Sequence, residues 1–471
     1  MSLFERIPIR QFGYYFLTGL ILVVPALMNN YPLMYSDSGS YIATSRHLLP
    51  PIDRPVGYGL ILRAVTWQST LWTVVFFQGM VASWLIREVL RTIFPVAGGA
   101  WRPHVVFLTA LLLFSSLPWY TSQVMPDVFS GFLALCAFLL LFGRKLAKWK
   151  IALLWVFFFF FTISHYSHFA MIILLAMAIA VASLRTPWRL RRTPRFRWGV
   201  IGLFIIPVLG ILCVKAYNAR HGFGYVVSPT SSLFLSGKLI ESGVMHTYLQ
   251  RNCATEPYFL CDKMDQLNTT GMHYVWDGDA PTRQGLGLVE SSARLDTLVG
   301  KVLTDLTMWP MIVWTSCVAT AVQFSQVTIG SGIVPYPEDS SPTFNIRQHL
   351  PHELPAFRNG MEQRGAWNFD YINLFARPLF FLGCMGVVVL WPPRRKVRLW
   401  SCIMILVSIT VLNAAATGAL ANVYDRLQAR VTWLILFSVL ILLTEGWATV
   451  RAIFYFPRPG VPKRQWGHQP Q

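Results

Sequence analysis

Charged side chains are scarce in this sequence, where Asp, Glu, Lys and Arg make up only 13% of 471 residues. A soluble domain of this length needs a more highly charged surface, so the composition excludes an ordinary water-soluble protein. Hydrophobic residues account for 54% of the chain, and the mean hydropathy is +0.47. Apolar runs near the length that spans a bilayer recur throughout. The sequence therefore predicts an all-α polytopic membrane protein.

The motifs of several enzyme classes are also missing. The sequence has no GxxxxGK phosphate loop, no HExxH zinc motif, no CxxC pair and no GxSxG nucleophile turn. It also lacks the internal repeat that is typical of inverted-repeat transporters. A transporter or flippase would further require charges in the middle of the spans, where this sequence has few.

Positive charge is what the chain has in excess, with a formal net charge of +19. In a soluble protein this excess would suggest nucleic acid, but here the basic residues fall in short clusters between apolar runs. Such clusters predict cytoplasmic loops among membrane lipids and no nucleic-acid partner. They are Arg144, Lys145, Lys148, Lys150, Arg185, Arg189, Arg191, Arg192, Arg195, Arg197, Arg394, Arg395, Lys396 and Arg398.

Apolar length and basic loops together predict about ten spans with both termini in the cytoplasm. No small-residue cleavage pattern follows the first apolar run, so it is read as an uncleaved span. The predicted spans are residues 12–28, 71–93, 105–119, 128–142, 151–164, 169–184, 200–216, 379–390, 399–416 and 431–448.

Four regions follow from these spans. Residues 1–216 form an N-terminal transmembrane module with catalytic outer loops, and residues 217–373 a mixed external segment with interfacial helices. Residues 374–450 form a C-terminal transmembrane module, and residues 451–471 a basic cytoplasmic tail. The apolar stretch 301–324 could be a further crossing, but the positive-inside rule favours a helix or broken hairpin at the outer interface.

Two of the seven cysteines, Cys253 and Cys261, lie close together in the predicted external segment. In an oxidising compartment this pair can close a short loop as a disulfide. Two independent thiols are the alternative.

Ionisable residues collect in the predicted outer loops, at the membrane edge. Four separate loops contribute Asp37, Asp53 and Arg54; Asp127; His165 and His168; and Asp425, Arg426 and Arg430. Charges at membrane depth are costly and usually face a cavity, which favours a functional role. Helix capping by Asp37 or Asp127, packing of the histidines beside aromatic rings, and snorkelling of the arginines with Asp425 as partner are the structural alternatives.

The spacing of these residues suggests a reaction. Arg426 and Arg430 are four residues apart, so on a helix they share one face and suit a phosphate. His165 and His168 can also share a face, but without a carboxylate partner they are a weak metal motif. A carboxylate that takes a proton, cations that hold a phosphate and a hydrated cavity fit glycosyl transfer from a lipid phosphate.

Four features resemble the GT-C superfamily of polyprenyl-phosphate-dependent membrane glycosyltransferases. They are the acid after the first span within Tyr35 to Tyr41, the DRPVGYGLILR stretch that starts at Asp53, the acid in MPDVF, and the arginines near the last outer loop. The chain is also similar to a group of bacterial membrane proteins that share a stretch like YLQRNCATEPYFLC, a later Trp-Asp and a DRxQAR motif. Together these similarities cover nearly the whole chain.

The resemblance implies a bacterial inner-membrane enzyme that transfers a sugar, with inversion, from a polyprenyl-phosphate donor to a lipid, glycan or protein acceptor. The reaction would take place on the periplasmic face and modify envelope glycans or glycolipids. Asp37 would be the general base or would position the acceptor, and Asp127 maps less directly onto a second acid that assists the acceptor or a metal. Arg54, Arg426, Arg430, His165 and His168 would bind the donor phosphate, and Tyr35, Ser36, Ser38, Tyr41, Asp53 and Tyr58 would contact substrate.

No cofactor follows from the motifs, and a divalent metal stays open. The first loop lacks the neighbouring Asp-Glu pair of the superfamily and has Ser36 and Ser38 around Asp37 instead, which argues against a metal and against the protein-mannosylating branch. Three alternatives remain: an O-antigen ligase or polymerase with a lipid-diphosphate donor, a non-enzymatic transporter of lipid or polysaccharide, and a non-catalytic assembly protein.

Overall fold

The computed structural model describes residues 9–95, 99–184, 193–268, 270–392 and 396–454. Within these ranges the regular secondary structure is helical, and extended pairing is limited to an isolated parallel bridge between Leu33 and Gln123. Residues 455–471 of the predicted basic tail lie outside the described residues. So do some of the predicted cytoplasmic arginines, namely Arg185, Arg189, Arg191, Arg192, Arg394 and Arg395.

The helices follow one another along the chain with short connections. Up to residue 220 they are α1 Ile9–Leu20, α2 Val24–Asn29, α3 Ser38–His47, α4 Gly57–Thr66, α5 Trp72–Ile93, α6 Trp101–Phe114, α7 Leu117–Thr121, α8 Phe129–Phe142, α9 Lys148–Thr162, α10 Tyr166–Ser183 and α11 Pro194–Arg220. Beyond it they are α12 Ser231–Glu241, α13 Val244–Asn252, α14 Gly271–Trp276, α15 Leu288–Thr304, α16 Trp309–Ser325, α17 Ser341–His349, α18 Leu354–Arg358, α19 Phe369–Val389, α20 Val397–Leu420 and α21 Asp425–Phe454.

Seven stretches of the described chain are long and apolar enough to cross a membrane. They are Arg10–Asn29, which joins α1 and α2, then α5, α10, α11, α19, α20 and Asp425–Gly446 of α21. The pair α15 and α16, bent by 72°, makes an eighth if it counts as one span. The chain thus fits a multi-pass helical membrane protein.

The three other predicted spans fall on short helices. The helices α6 and α8 have 14 residues each and α9 has 15. A 14-residue helix is about 21 Å long, whereas the hydrocarbon core of a bilayer is about 30 Å thick. The expectation of ten crossings therefore depends on these three helices and stays a prediction.

The short helix α8 lies at the centre of the bundle. Every residue from Phe129 to Phe142 is buried, as expected for a helix that is apolar on all sides. Its neighbours are α5, α9, α11, α20 and α21. The backbone at Gly131 packs directly on Trp433 of α21, because a Cβ there would lie 2.5 Å from the indole ring.

The helices α12 to α15 form a small subdomain with its own apolar core. Leu233, Leu249 and Leu295 are fully buried in it, and Cys253 is joined to Cys261 by a disulfide. This subdomain belongs to the predicted external segment 217–373. The regular structure of that segment is helical in the residues described, which corrects the expectation of a mixed segment.

Loss of the disulfide should loosen this subdomain and leave the bundle intact. The bond joins cysteines eight residues apart, for which loop-closure entropy gives roughly 2–3 kcal/mol. We expect the Cys253→Ser variant to be cleaved faster by protease within the subdomain, with its total helix content by circular dichroism unchanged. Cys213→Ser, at an exposed free cysteine of α11, is the control. Equal cleavage of Cys253→Ser and wild type would contradict the prediction.

The apolar stretch predicted at 301–324 is a bent pair of helices and not one straight helix. The bend follows α15 at Asp305, whose side chain accepts a hydrogen bond from the Thr307 amide at 2.9 Å. After the bend, α16 packs along α20, where a Cβ on Gly418 would lie 2.8 Å from the Ala319 carbonyl. The opposite face of α16 is apolar and exposed, as at Trp314, which suits contact with lipid.

Residues 326–368, here called the return segment, bring the chain back over the first loop. The backbone of α3 at Gly39 touches Ser341 of α17. Glu353 accepts a hydrogen bond from the Tyr31 hydroxyl at 2.8 Å, and Glu362 accepts one from the Met34 amide at 3.0 Å. The loop that contains Asp37 is therefore held between the bundle and the return segment.

Candidate functional site

Six charged side chains of alternating sign meet at one end of the helical bundle. We call this group the charge ladder, and its members are, in spatial order, Asp53, Arg54, Asp37, Arg426, Asp127 and Arg430. The two arginines of α21 both approach Asp127, so they share one face of the helix, as their spacing predicts. On the same helix Glu445 pairs with Lys396, about 28 Å further along by helix rise. The ladder and the Lys396–Glu445 pair thus lie at opposite ends of the bundle.

The outer half of the ladder is centred on Asp37. Arg54 donates from Nη1 to Asp53 Oδ2 at 2.8 Å, and its Nη2 forms an ion pair with Asp37 Oδ1 at 2.5 Å. Arg426 Nη1 donates to the other oxygen of Asp37, Oδ2, at 3.1 Å. The carboxylate of Asp37 therefore bridges two guanidiniums that come from opposite ends of the sequence.

The inner half of the ladder is closed. Arg430 donates from Nη1 to Asp127 Oδ1 at 2.9 Å, and from Nη2 to Ser167 Oγ at 2.8 Å. Its Nε and Nη2 also reach Asn413 Oδ1, at 3.1 and 2.8 Å. Asp127 Oδ2 lies 3.9 Å from Arg426 Nη1 and accepts no hydrogen bond. Since all three guanidinium nitrogens of Arg430 make hydrogen bonds and its side chain is fully buried, this residue supports the ladder and is not reached by a ligand from solvent.

Exposure falls from the outer to the inner half. The side chains of Arg54, Asp37 and Arg426 are 16%, 13% and 12% exposed, whereas those of Asp127 and Arg430 are 1% and 0% exposed. A ligand that enters from solvent would therefore meet Asp37 and its two arginines first.

The arginines set the protonation of the outer acids. Burial by itself would raise the pKa of Asp37, but Arg54 and Arg426 outweigh it and hold that pKa below the usual aspartate value. Burial raises the pKa of Asp53, despite its contact with Arg54. A carboxylate with a lowered pKa accepts protons poorly. In this arrangement Asp37 is anionic and a weak base, and its side chain makes no capping hydrogen bond to α3.

An aromatic ring covers Arg426. The guanidinium carbon lies 3.8 Å from the ring centroid of Tyr35, a cation–π contact. The same ring also meets Gly332 of the return segment, where φ is +80° and a Cβ would lie 1.8 Å from the ring. Only glycine fits there. Asp425 accepts a hydrogen bond from the Thr328 amide at 2.9 Å, so it anchors the return segment and is not the ion-pair partner of Arg426.

The two predicted phosphate-binding histidines form hydrogen bonds with neighbouring protein groups. His168 is fully buried; it donates from Nδ1 to the Phe161 carbonyl at 2.6 Å and accepts at Nε2 from Ser130 at 2.8 Å. His165 caps α10 by accepting at Nδ1 from the Ser167 amide at 3.1 Å. Burial, and after it the charge of Arg430, lowers the pKa of His165 well below its usual value. His165 is therefore neutral and brings no positive charge to a phosphate.

The predicted substrate-binding hydroxyls divide into three groups. Ser36 Oγ lies at the surface and donates to Asp37 Oδ1 at 3.1 Å. Ser38 is bonded to the Tyr35 amide and the Val124 carbonyl, and Tyr58 to Gln78, so all of these support structure. The hydroxyl of Tyr41 is buried without a hydrogen-bond partner, and its ring packs on that of Tyr58 at 4.9 Å.

Sequence reasoning missed two members of the site that bond Arg430, Ser167 of α10 and Asn413 of α20. The amide oxygen of Asn413 accepts from Arg430, and its Nδ2 donates to Gln428 Oε1 at 2.9 Å. A lone amide in the apolar run VSITVLNAAATG is the signal that could have found Asn413, because polar groups inside spans are costly.

A metal has no obvious ligands here. Among the residues that the structure describes, no group of three His, Cys, Asp or Glu side chains is placed to hold a metal ion. The carboxylates of the ladder face arginines instead. We therefore derive no step that involves a metal.

A small crevice of about 20 Å³ lies beside the inner half of the ladder, between α6, α19 and α21. Phe114, Phe380, Trp433 and Leu436 are among its walls. Trp433 follows Arg430 by three residues and packs on Gly131 of α8. One wall of the crevice is therefore continuous with the helix that carries the arginines.

Comparison with known proteins adds no relative. The chain matches no protein-family model, no curated protein and no solved structure.

Proposed function

We propose that this protein is an inverting GT-C-type glycosyltransferase that moves a sugar from a polyprenyl-phosphate donor to a lipid, glycan or protein acceptor. The observation that carries the proposal is the charge ladder. Its three arginines and three aspartates come from four separate stretches of chain and meet among apolar helices. Charges are retained among membrane helices at a cost, and they mark sites of binding or chemistry.

The ladder suits group transfer better than transport. An ion or substrate pathway requires polar groups along the depth of the bundle, whereas these charges are gathered at one end. Arginine is also the side chain that matches the oxygens of a phosphate. Arg54 and Arg426 are the partly exposed arginines of the ladder, so these two would bind the donor phosphate.

The reaction itself needs one base and one charged site. The acceptor oxygen attacks the anomeric carbon on the face opposite the phosphate, and its proton passes to Asp37. The bond between that carbon and the phosphate oxygen breaks, and its electron pair stays on the phosphate. Arg54 and Arg426 stabilise the charge that develops there. Asp127, itself fixed by Arg430, helps to position Arg426 through an ion pair from the inner half of the ladder.

The lipid part of the donor would lie in the bilayer, against the exposed apolar surface beside the crevice. Phe114 at its wall is exposed, and the walls are mostly apolar. A polyprenyl chain held there would place its phosphate at the same end of α21 as Arg426. Entry from the side of the bundle would then need no opening of the helices.

The sidedness of the site belongs to the same proposal. We place the protein in a bacterial inner membrane with about ten crossings and both termini in the cytoplasm. Lys150, Arg195 and Lys396 lie in predicted cytoplasmic loops, and the pair of Lys396 with Glu445 lies at the end of the bundle opposite the ladder. By the positive-inside rule this would put the ladder on the periplasmic face.

A donor panel tests the proposal. Purified protein in liposomes is given polyprenyl-monophosphate and polyprenyl-diphosphate sugars, and release of the lipid phosphate is measured. We expect turnover with at least one monophosphate donor, and at least about 100-fold less in Arg426→Gln, because a donor aimed at the developing charge is lost. The exposed Arg347, paired with Glu338 at the surface, gives the control Arg347→Gln.

The alternatives predict other results. Turnover with diphosphate donors alone would favour an O-antigen ligase or polymerase type of enzyme. No release from any donor by folded protein would contradict the transferase and favour a transporter or an assembly protein.

A further inference from the structure

The carboxylate of Asp37 lies between two arginines of the ladder. One of its oxygens forms an ion pair with Arg54 Nη2 at 2.5 Å, and the other accepts a hydrogen bond from Arg426 Nη1 at 3.1 Å, so that one anion bridges two guanidiniums. Within the ladder Asp53 contacts Arg54 alone, and Asp127 is closed off at 1% exposure. Asp37 is therefore the acid of the ladder that is both bridging and reachable from solvent.

The charge of the ladder limits what can bind beside Asp37. Three carboxylates and three guanidiniums make the ladder formally neutral. A phosphodiester donor brings one negative charge and two free oxygens, as a carboxylate does. If it binds while Asp37 stays in place, one negative charge in a largely buried group has no partner, which is costly. If it replaces Asp37, every arginine keeps an anionic partner.

Apart from its contacts with these two arginines, Asp37 makes few interactions that fix its side chain. Its carboxylate makes no hydrogen bond to the backbone of α3, and its remaining bond is from the exposed Ser36 hydroxyl at 3.1 Å. A change of side-chain rotamer would therefore exchange the two arginine contacts for solvent. The bonds of Arg54 to Asp53 and of Arg430 to Asp127 would be unaffected.

We propose, on the basis of the proposed function, that Asp37 takes the place of the donor phosphodiester in the ligand-free protein and is displaced from Arg54 and Arg426 by the donor. The displaced carboxylate, no longer paired, becomes the base that accepts the acceptor proton. Donor binding thus switches the base on, and the donor binds before the acceptor reacts. This explains how one residue can be a weak base at rest and still serve the transfer.

The same exchange leads to release of the product. After transfer the lipid phosphate is a monoester that has kept the electron pair of the broken bond, and Asp37 carries the acceptor proton. Asp37 then loses this proton to solvent and regains its charge. As an anion it competes again for Arg54 and Arg426 and displaces the lipid phosphate.

The test measures binding apart from turnover. The probe is farnesyl methyl phosphate, a phosphodiester with one charge and no sugar, titrated by calorimetry into the full-length protein in nanodiscs. Asp37→Asn should bind it at least about tenfold more tightly than wild type, because the competing anion is gone. Arg426→Gln should lose measurable binding. Glu290→Gln is the matched control, because it removes one carboxylate charge at an exposed position outside the ladder, and it should stay within about threefold of wild type.

A second variant covers the case in which Asp37→Asn does not fold. Ser36→Ala removes one hydrogen bond from the Asp37 carboxylate and leaves all charges unchanged, so it should tighten probe binding by about two- to fivefold. Unchanged or weaker probe binding in the folded Asp37 and Ser36 variants would overturn the displacement. Tighter binding without turnover on any donor would support displacement while contradicting the transferase, so the two proposals fail separately.

Discussion

The Arg430→Met variant should lose roughly 3–5 kcal/mol of folding free energy, the cost of leaving one partner of a buried ion pair alone. Arg430 is fully buried, and among the residues that the structure describes it supplies the one cation within hydrogen-bond distance of Asp127. Its other nitrogens satisfy Asn413 and Ser167. Unfolding of the purified protein by titration with sodium dodecyl sulfate in mixed micelles would measure the loss.

Two further variants separate the ion pair from the arginine itself. Arg430→Met combined with Asp127→Asn should recover most of the stability, since the uncompensated charge is then removed. Arg347→Met, at a surface pair with Glu338 whose side chains are 46% and 60% exposed, should cost less than about 1 kcal/mol. A loss in Arg430→Met as small as that of Arg347→Met would show that the buried pair does not stabilise the fold.

The sequence predicts the long helices well, because the length of an apolar run is a local property of the chain. The run predicted at 12–28 corresponds to Arg10–Asn29, and the run at 128–142 to α8. The span predicted at 379–390 begins ten residues earlier, at Phe369. The pattern hid this start because Arg377 and Pro378 resemble a helix break, whereas neighbouring helices keep α19 continuous.

The predicted topology indicated which charged residues would meet in the site, but not which of them would form ion pairs with each other. Loops predicted on one side of the membrane do meet, which brings Asp37, Asp127 and the arginines of α21 together. Sequence proximity suggested Asp425 as the partner of Arg426, yet Asp425 bonds the Thr328 amide and Arg426 reaches Asp37, 389 residues away. Such pairings depend on how helices rotate as they pack, which no local pattern encodes.

The return segment contains a deeply buried carboxyl group, that of Glu362, which lies outside the ladder. Glu362 is 2% exposed; its Oε2 accepts from the Met34 amide at 3.0 Å, and its Oε1 has no hydrogen-bond partner. Burial raises the pKa of Glu362 well above its usual value of 4.5. The neutral acid is thus the form that this site favours, and Met34 joins it to the loop that carries Asp37.

Stability should therefore fall as the pH rises through the range in which Glu362 is neutral when folded and ionised when unfolded. In that range the folded state binds more protons, so the free energy of unfolding decreases by up to about 1.4 kcal/mol per pH unit. The decline begins near pH 4.5, the usual value, and ends at the raised pKa of Glu362 in the folded protein.

Glu362→Gln keeps the shape of the neutral acid and removes the titration. We expect its melting temperature to match wild type near pH 4.5 and to exceed it at pH 8, whereas the exposed Glu290→Gln should follow wild type at both. Parallel profiles for Glu362→Gln and wild type would mean that this carboxyl is ionised in the folded protein, with a partner that compensates its burial.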